Sequence, residues 1–325
     1  MNLNNLSPIV LFTYNRPKHT YKVLEALKTN ELSAHSTLFV YQDGKKDNNI
    51  IEDNQNWNLV NELISSIKGF KKVIIRVSDT NLGCDPSMIK GITDVVNEYG
   101  KIIVLEDDLV VSPHFLNYMN ISLDYYNDIE EVGSINGYSY KFKKKLPEFF
   151  FQKGVNPYGW ATWKKYWEMY NPNADELVNY IIENKLVDDF NYGDTLGILK
   201  NTILNPDQGG RDAIWYASLY RNNILGLFPS KSFVNNIGFD SSGTHTNNIN
   251  EKIVNFQWPI SELNNSFSKP QLLKVKVLEH KKTKRYIQKI YNELSGKTFG
   301  LKRVKKEYFL IKHRIKMYYL KIFKS

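Results

Sequence analysis

The residues best equipped to do chemistry in this chain are three consecutive carboxylates, Glu106, Asp107 and Asp108, directly after the apolar run Ile102, Ile103, Val104 and Leu105. Three adjacent like charges favour their protonated forms unless a cation neutralises them. A hard divalent ion, Mg²⁺ or Mn²⁺, meets that need, because such ions are commonly held by one or two carboxylates together with substrate phosphates. Alternate side chains of an extended segment point to opposite sides, so Glu106 and Asp108 are expected to share a face and Asp107 to point away. The plainer alternative is a solvated acidic loop in which Asp108 or Ser112 caps the next helix.

A fourth carboxylate, Asp212, follows Gly209 and Gly210 at the start of a helical pattern that runs to Arg221, with Asp207 close by. In that place it either accepts a proton from a reacting group or complements the helix dipole. Between these two acidic sites, Asn156 to Trp167 is dense in aromatics and opens with turn residues. Aromatic faces pack against the apolar C–H side of sugar rings. Tyr158, Gly159 and Trp160 are therefore read as a loop platform for such a ring. Trp163 and Trp167, four apart, are read as core on one helical face.

Positioning these groups requires a scaffold, and the first half of the chain supplies a legible one. Ile9 to Thr13, Thr37 to Gln42, Val73 to Val77 and Ile102 to Leu105 read as strands. Each is followed by an amphipathic stretch: Pro17 to Lys28, Gln55 to Ile67, Pro86 to Tyr99 and Pro113 to Asn127. Such alternation predicts an α/β fold with a mostly parallel central sheet covered on both faces. Ligands of open sheets sit at the carboxyl ends of the strands. Those ends read Tyr14, Asn15, Arg16; then Asp43, Gly44; then Asp79, Thr80, Asn81, Leu82, Gly83; and finally the acidic triplet. In the second half, a strand is expected over Val132 to Asn136 and helices over Trp160 to Tyr170, Ala174 to Lys185 and Arg211 to Arg221. Short strands are expected at Leu225 to Phe228 and Ser232 to Val234.

At 325 residues, with 42% hydrophobic and 14% aromatic residues and no biased tract, the chain is globular rather than disordered. Cys84 is the single cysteine, which excludes an internal disulfide framework. The polar N-terminus lacks a secretory h-region, and no run of about 18 apolar residues suggests a transmembrane helix. The expected location is cytoplasmic. The net charge of +9 is unevenly spread: residues 271–325 hold 17 Lys and Arg against 3 Asp and Glu, and the remainder holds 26 against 31. A domain over residues 1–263, in two parts that meet near residue 130, is thus expected to precede a basic region over 264–325. In that region Lys281, Lys282, Lys284, Arg285 and further basic residues to Lys324 are interleaved with Tyr286, Phe299, Tyr308 and other aromatics. This mixture suits peripheral attachment to an anionic membrane surface. Nucleic-acid binding is the competing reading and is not expected; a helical surface packing on the domain or on a second subunit is a third.

Pro8 to Pro17, Asn81-Leu82-Gly83 and Val104 to Pro113 together resemble the nucleotide-binding half of GT-A glycosyltransferases of the family 2-like kind. In particular the chain resembles bacterial relatives of N-acetylglucosaminyltransferase I, in which Glu-Asp-Asp takes the place of Asp-x-Asp. The resemblance covers roughly residues 7 to 260. It implies that Thr13, Tyr14, Asn15, Arg16, Asn81 and Gly83 line the nucleoside and phosphate pocket and that Asp43 contacts the base. It also implies that Asp107 touches the donor ribose or sugar beside Glu106, and that Asp108 ligates Mn²⁺ or Mg²⁺. The Gly-Trp segment corresponds to one placed beside the transferred sugar, Asp212 to the catalytic base, and His245, in the loop Val234 to Thr246, to a flap residue that reaches the metal or diphosphate. One departure is Tyr41-Gln42-Asp43-Gly44-Lys45, where other GT-A enzymes carry Asp-Asp-Gly-Ser.

The implied activity is metal-dependent, inverting transfer from a nucleotide-diphosphate sugar, with UDP as the nucleotide. The acceptor would be a glycan or lipid-linked acceptor of bacterial capsule or lipopolysaccharide assembly, at the inner face of the cytoplasmic membrane. Two alternatives stand beside it. One is a sugar-nucleotidyltransferase, although Thr13 to Pro17 lacks the Gly-rich loop of that class; the other is a non-catalytic sugar- or membrane-binding module.

Overall fold

Ile9, Val10 and Leu11 are all fully buried, which requires a strand with neighbours on both sides and packed layers above and below. In the computed structural model, which describes residues 2–47, 50–143, 145–191, 194–206, 209–240, 255–263 and 275–295, that strand is β1 (Ile9–Thr13). It is followed by α1 (Pro17–Lys28), β2 (Thr37–Gln42), α2 (Ile51–Ser65), β3 (Lys72–Val77), α3 (Cys84–Tyr99) and β4 (Lys101–Glu106). Next come β5 (Leu109–Val111), α4 (Phe115–Tyr125), β6 (Val132–Asn136), β7 (Phe149–Lys153) and β8 (Trp160–Trp163). The helices α5 (Lys164–Trp167), α6 (Ala174–Glu183), α7 (Val187–Phe190), α8 (Thr195–Leu204) and α9 (Arg211–Arg221) precede β9 (Leu225–Pro229) and β10 (Val234–Asn236). Two helices complete the described chain, α10 (Ile260–Leu263) and α11 (Lys281–Ser295).

The main sheet has eight strands in the order β3-β2-β1-β4-β8-β6-β9-β7. The first four are mutually parallel, with Ile9 opposite both Leu38 and Ile103. Their carboxyl ends therefore share one rim, as the alternating pattern predicts. Beyond β4 the sheet turns mixed: β8 is antiparallel to β4 and β6, β9 is parallel to β6, and β7 closes the edge antiparallel to β9. A separate two-stranded ribbon pairs β5 with β10, Val111 opposite Val234. It ties the strand after the acidic triplet to the segment leading towards residue 240.

Two expectations about elements need correction. The helix expected over residues 160–170 is instead β8 followed by the single turn of α5. Trp160, Ala161, Thr162 and Trp163 are all buried, so this central strand shows no polar alternation, and an apolar run buried on both faces cannot be told from a helix by periodicity. Trp163 and Trp167 are both core, but on different elements. The strands β5 and β7 and the helices α7 and α8 were not anticipated. The boundary expected at residue 264 falls outside the described residues. Downstream of it, α11 packs on the body: Thr283 and Ile290 are buried, and the His280 N–H donates to the Phe151 carbonyl at 2.8 Å. Among the described residues, no helix is long and apolar enough to cross a membrane.

Candidate active site

The rim at the ends of β1, β2, β3 and β4 is assembled largely by backbone geometry. Asp43, after β2, is buried, and its carboxylate accepts from the Gly44 and Leu82 N–H groups at Oδ1 and from the Gly83 N–H at Oδ2, each at 2.9 Å. Asn81 Nδ2 donates to the Gly44 carbonyl at 2.7 Å. These bonds join the loops after β2 and β3, so the expected base contact Asp43 has both carboxylate oxygens engaged with its own chain. A Cβ on Gly44 would lie 2.3 Å from the Thr80 carbonyl carbon, so only glycine allows this approach. Gly83, at φ +85°, starts α3.

After β1, Thr13 is buried and its carbonyl accepts from the Asp43 N–H at 3.1 Å. The Tyr14 carbonyl accepts from Gln42 Nε2 at 3.2 Å, and Lys46 Nζ stands 5.6 Å from the Tyr14 ring centre. Burial raises the Tyr14 hydroxyl above its ordinary range. Asn15 Nδ2 donates to Asp53 Oδ1 at 3.2 Å. Arg16 immediately precedes Pro17, the first residue of α1, where proline's fixed φ suits a helix start. Its guanidinium reaches across the rim to Asp107 Oδ1 and to Asp108 Oδ2, the latter at 3.1 Å.

The acidic triplet is thus divided differently from the expected alternation. Asp107 and Asp108 lie in the turn between β4 and β5 rather than in an extended strand, and they share Arg16. Glu106, the last residue of β4, faces Arg211 with Oε1 3.7 Å from Nη2. Burial opposes the Arg16 charge, but the two carboxylates outweigh it and hold the guanidinium ionised. Burial raises the Asp107 carboxyl, with Arg16 opposing. Glu106 is pushed up to about 8, chiefly by burial, against the pull of Arg211 and with the help of the neighbouring carboxylates.

Arg211 joins the two halves of the site and was not assigned a role from sequence. Its side chain is 3% exposed. Nη2 and Nε donate to Asp212 Oδ1 at 2.5 and 3.0 Å, while Nη2 also faces Glu106. Asp85 Oδ2, in the first turn of α3, accepts from the Gly210 and Arg211 N–H groups at 2.7 and 2.8 Å and so caps α9. Arg211 directly beside Asp212 after paired glycines was the available sequence signal; the partners Asp85 and Glu106 lie more than 100 residues away.

Asp212 is 45% exposed and lines a cavity with Tyr138, Tyr158 and Tyr216. Of the expected platform, only Tyr158 faces this cavity. Trp160 is 2% exposed within β8, its ring among those of Trp167 and Trp215, which corrects its placement on a loop surface. Gly159, at φ +69°, is a packing position where a Cβ would meet Val234 at 2.9 Å. On the other side, the β5–β10 ribbon lays the segment after β10 against the acidic turn. The Ile237 N–H donates to the Asp108 carbonyl at 2.9 Å, and a Cβ on Gly238 would lie 2.2 Å from Asp108 Oδ2. Asp240 Oδ2 is 3.0 Å from His19 Nε2. His245 and Asp207 lie outside the described residues.

No three His, Cys, Asp or Glu side chains among the described residues stand ready to hold a metal alone. The donor set nevertheless suits a shared ion. Five carboxylates, Asp85, Glu106, Asp107, Asp108 and Asp212, surround two guanidiniums, Arg16 and Arg211, and the excess is negative. Mg²⁺ and Mn²⁺ sites usually take one or two carboxylates and leave the rest of the shell to phosphates and water.

Comparison with known proteins adds a family. The model for glycosyltransferase family 25 (LPS biosynthesis protein) matches residues 11–183. This span takes in the end of β1, Arg16, Asp43, the acidic turn and Tyr158 and stops before Asp212. No curated protein matches. Among solved structures, the mannosyltransferase PcManGT of Pyrobaculum calidifontis, determined with GDP-Man and Mn²⁺, is 9% identical over 51% of this chain and 47% of its own, with a TM-score of 0.36. Residues 1–349 of S. aureus TarS, determined with UDP, are 10% identical over 70% of this chain and 59% of their own, at 0.39. Mouse xyloside xylosyltransferase 1, in its apo form, is 11% identical over 67% and 83%, at 0.36. The chain thus spans about half the length of the first two of these structures.

Proposed function

The chain belongs to glycosyltransferase family 25, and from that premise we propose that it is a metal-dependent GT-A enzyme moving a sugar, with inversion, from a UDP-sugar to a glycan or lipid-linked acceptor of lipopolysaccharide. Membership of a glycosyltransferase family sets aside the sugar-nucleotidyltransferase alternative. The finer kinship with N-acetylglucosaminyltransferase I is carried by Pro8 to Pro17, Asn81 to Gly83 and Val104 to Pro113, with Glu106-Asp107-Asp108 in the place of Asp-x-Asp.

The observation that carries this reading is the arrangement about the two guanidiniums. Arg16 and the Asp107–Asp108 turn stand at the carboxyl ends of parallel strands, where α/β sheets bind ligands. Asp212, held by Arg211, opens on an adjacent cavity. Donor and acceptor sites thus share one charged seam. The Arg16 guanidinium is a fork suited to phosphate oxygens. Asp108, with donor phosphates, would hold the divalent ion, and His245 would be a further contact. That ion, when bound, supplies positive charge against the leaving diphosphate. Asp212 takes the proton of the attacking acceptor hydroxyl, and Arg211, by fixing Oδ1, orients the carboxylate for that transfer.

Attachment to an anionic membrane surface at the inner face of the cytoplasmic membrane is supported by α11. Lys281, Lys282, Arg285 and Lys289 are exposed and fall within one 100° arc of a helix, opposite the buried Thr283 and Ile290. The apolar side of α11 faces the protein, so attachment through this helix is electrostatic rather than insertive.

A thermal-shift panel of nucleotide sugars with and without Mn²⁺ tests the reading. Ligand at a hundred times its Kd stabilises by about 2.7 kcal/mol, a rise of roughly 4 °C for a chain of this size. A UDP-sugar should produce that rise only with Mn²⁺, and Asp108→Ala should abolish it. A flat panel in the presence of metal would sink the donor assignment.

A further inference from the structure

Beside Asp212, the second half of the chain lines a half-open cavity of about 290 Å³ apart from the donor rim. Its walls are largely aromatic. Tyr138, Tyr140 and Phe142 arrive from alternate positions after β6, Tyr158 from the turn before β8, and Tyr216 from α9. Tyr138 stands edge-on to both Tyr140 and Tyr158, with ring centres 5.3 and 5.1 Å apart. Tyr138 is itself buried and braces the half-buried ring of Tyr158, which borders the cavity. The polar groups of the lining are Asp212, Lys153, Gln152, Asn156, Ser139 and Thr195.

One wall comes from the basic C-terminal region. Ile287 of α11 lines the cavity, and the helix is pinned there at several points. Gln152 Nε2 donates to the His280 carbonyl at 3.1 Å, the Lys284 ammonium binds Asp189 and Glu279, and Thr283 and Ile290 are buried.

We infer that this cavity is the subsite for the acceptor pyranose ring and that α11 is a structural wall of it, so the C-terminal region takes part in acceptor recognition. The inference rests on the transferase reading above and deepens it. A pyranose has an apolar C–H face and a rim of hydroxyls, which matches aromatic rings bordered by a carboxylate, an ammonium, two amides and two hydroxyls. Asp212 is the lining group able to accept a hydroxyl proton, and it stands across Arg211 from Glu106 and the donor turn. An acyl chain fits less well, because filling the cavity with hydrocarbon would strip water from the charged groups of Asp212 and Lys153 without offering partners.

The test uses the full chain in saturation-transfer NMR with methyl β-galactoside, methyl β-glucoside, methyl N-acetyl-β-glucosaminide and, as an apolar probe, hexanol. The UDP–Mn²⁺ thermal shift is recorded on the same samples. At least one glycoside should receive saturation at its C–H protons. Ile287→Trp, which fills the cavity from α11, should abolish that signal, and Tyr158→Ala, at a half-buried ring, should cut it several-fold, each with the UDP–Mn²⁺ shift retained. Transfer to hexanol alone, no transfer to any glycoside, or an unchanged signal in both variants overturns the inference. A protein that shows no UDP–Mn²⁺ shift refutes the donor reading separately.

Discussion

The contact between Glu106 and Arg211 offers the sharpest test of how the two halves of the site are joined. Glu106 has its carboxyl pushed up to about 8, mainly by burial. The sign follows from linkage: a carboxyl whose folded-state pKa is raised contributes its neutral-form stability at low pH and loses it as pH climbs from the ordinary carboxylate range towards 8. Glu106→Gln should therefore gain stability relative to the parent between pH 6 and pH 9. The interaction with Arg211 runs the other way, because it needs the charged carboxylate. At 3.7 Å and an effective dielectric constant near 20, two unit charges interact by about 4.5 kcal/mol. Solvent reaches the Glu106 side chain, which is 25% exposed, and lowers this to roughly 2–3 kcal/mol. A double-mutant cycle of Glu106→Gln and Arg211→Met, followed by urea unfolding of metal-free protein, should give a coupling near that value at pH 9 and below about 1 kcal/mol at pH 6. Equal couplings at the two pH values, or none at pH 9, would refute the assignment of Arg211 as the charge partner of Glu106.

Three further outcomes follow from the geometry. Asp212→Asn should lower kcat by about 10²–10⁴, the range for a lost general base, while the UDP–Mn²⁺ thermal shift persists; near-parental turnover would move the base elsewhere. Gly44→Ala puts a Cβ 2.3 Å from the Thr80 carbonyl carbon, so it should part the loops after β2 and β3 and weaken UDP binding at least tenfold by calorimetry, with the far-UV spectrum unchanged. Asp189 is held below its ordinary range by Lys284 and Tyr220 against the opposing effect of burial. Its hold on α11 is therefore present at neutral pH and is lost as pH falls below about 4, and Asp189→Asn should raise amide exchange over residues 281–290 at pH 7.

How much of this was legible in the sequence differs between the halves. In the first half, β1, β2 and α1 match their expected ranges residue for residue, because short β-rich runs bounded by turn residues read as strands and one-sided helices leave a period of about 3.6 residues. The four strand ends were correctly predicted to meet at one rim. In the second half, the residues of β8 read as a helix because both faces of that strand are buried, and the cavity rings at 138–142, 158 and 216 come from three separate segments. Trp160 illustrates the limit: its residue type suggested a sugar platform, while its place between β4 and β6 makes it core.

The sequence by itself determined the α/β class, the rim of strand ends and the presence of concentrated carboxylates, since each follows from local patterns that hydrophobic burial and chain geometry enforce. Tertiary structure decided which charges meet. Arg16 and Asp107 are about 90 residues apart and Arg211 and Glu106 more than 100. Pairing across such separations depends on how the sheet brings distant strand and helix ends together, not on any local pattern. The turn at Asp107–Asp108 therefore turned both carboxylates towards Arg16, left Glu106 to Arg211, and linked the acidic triplet to Asp212 through one buried guanidinium.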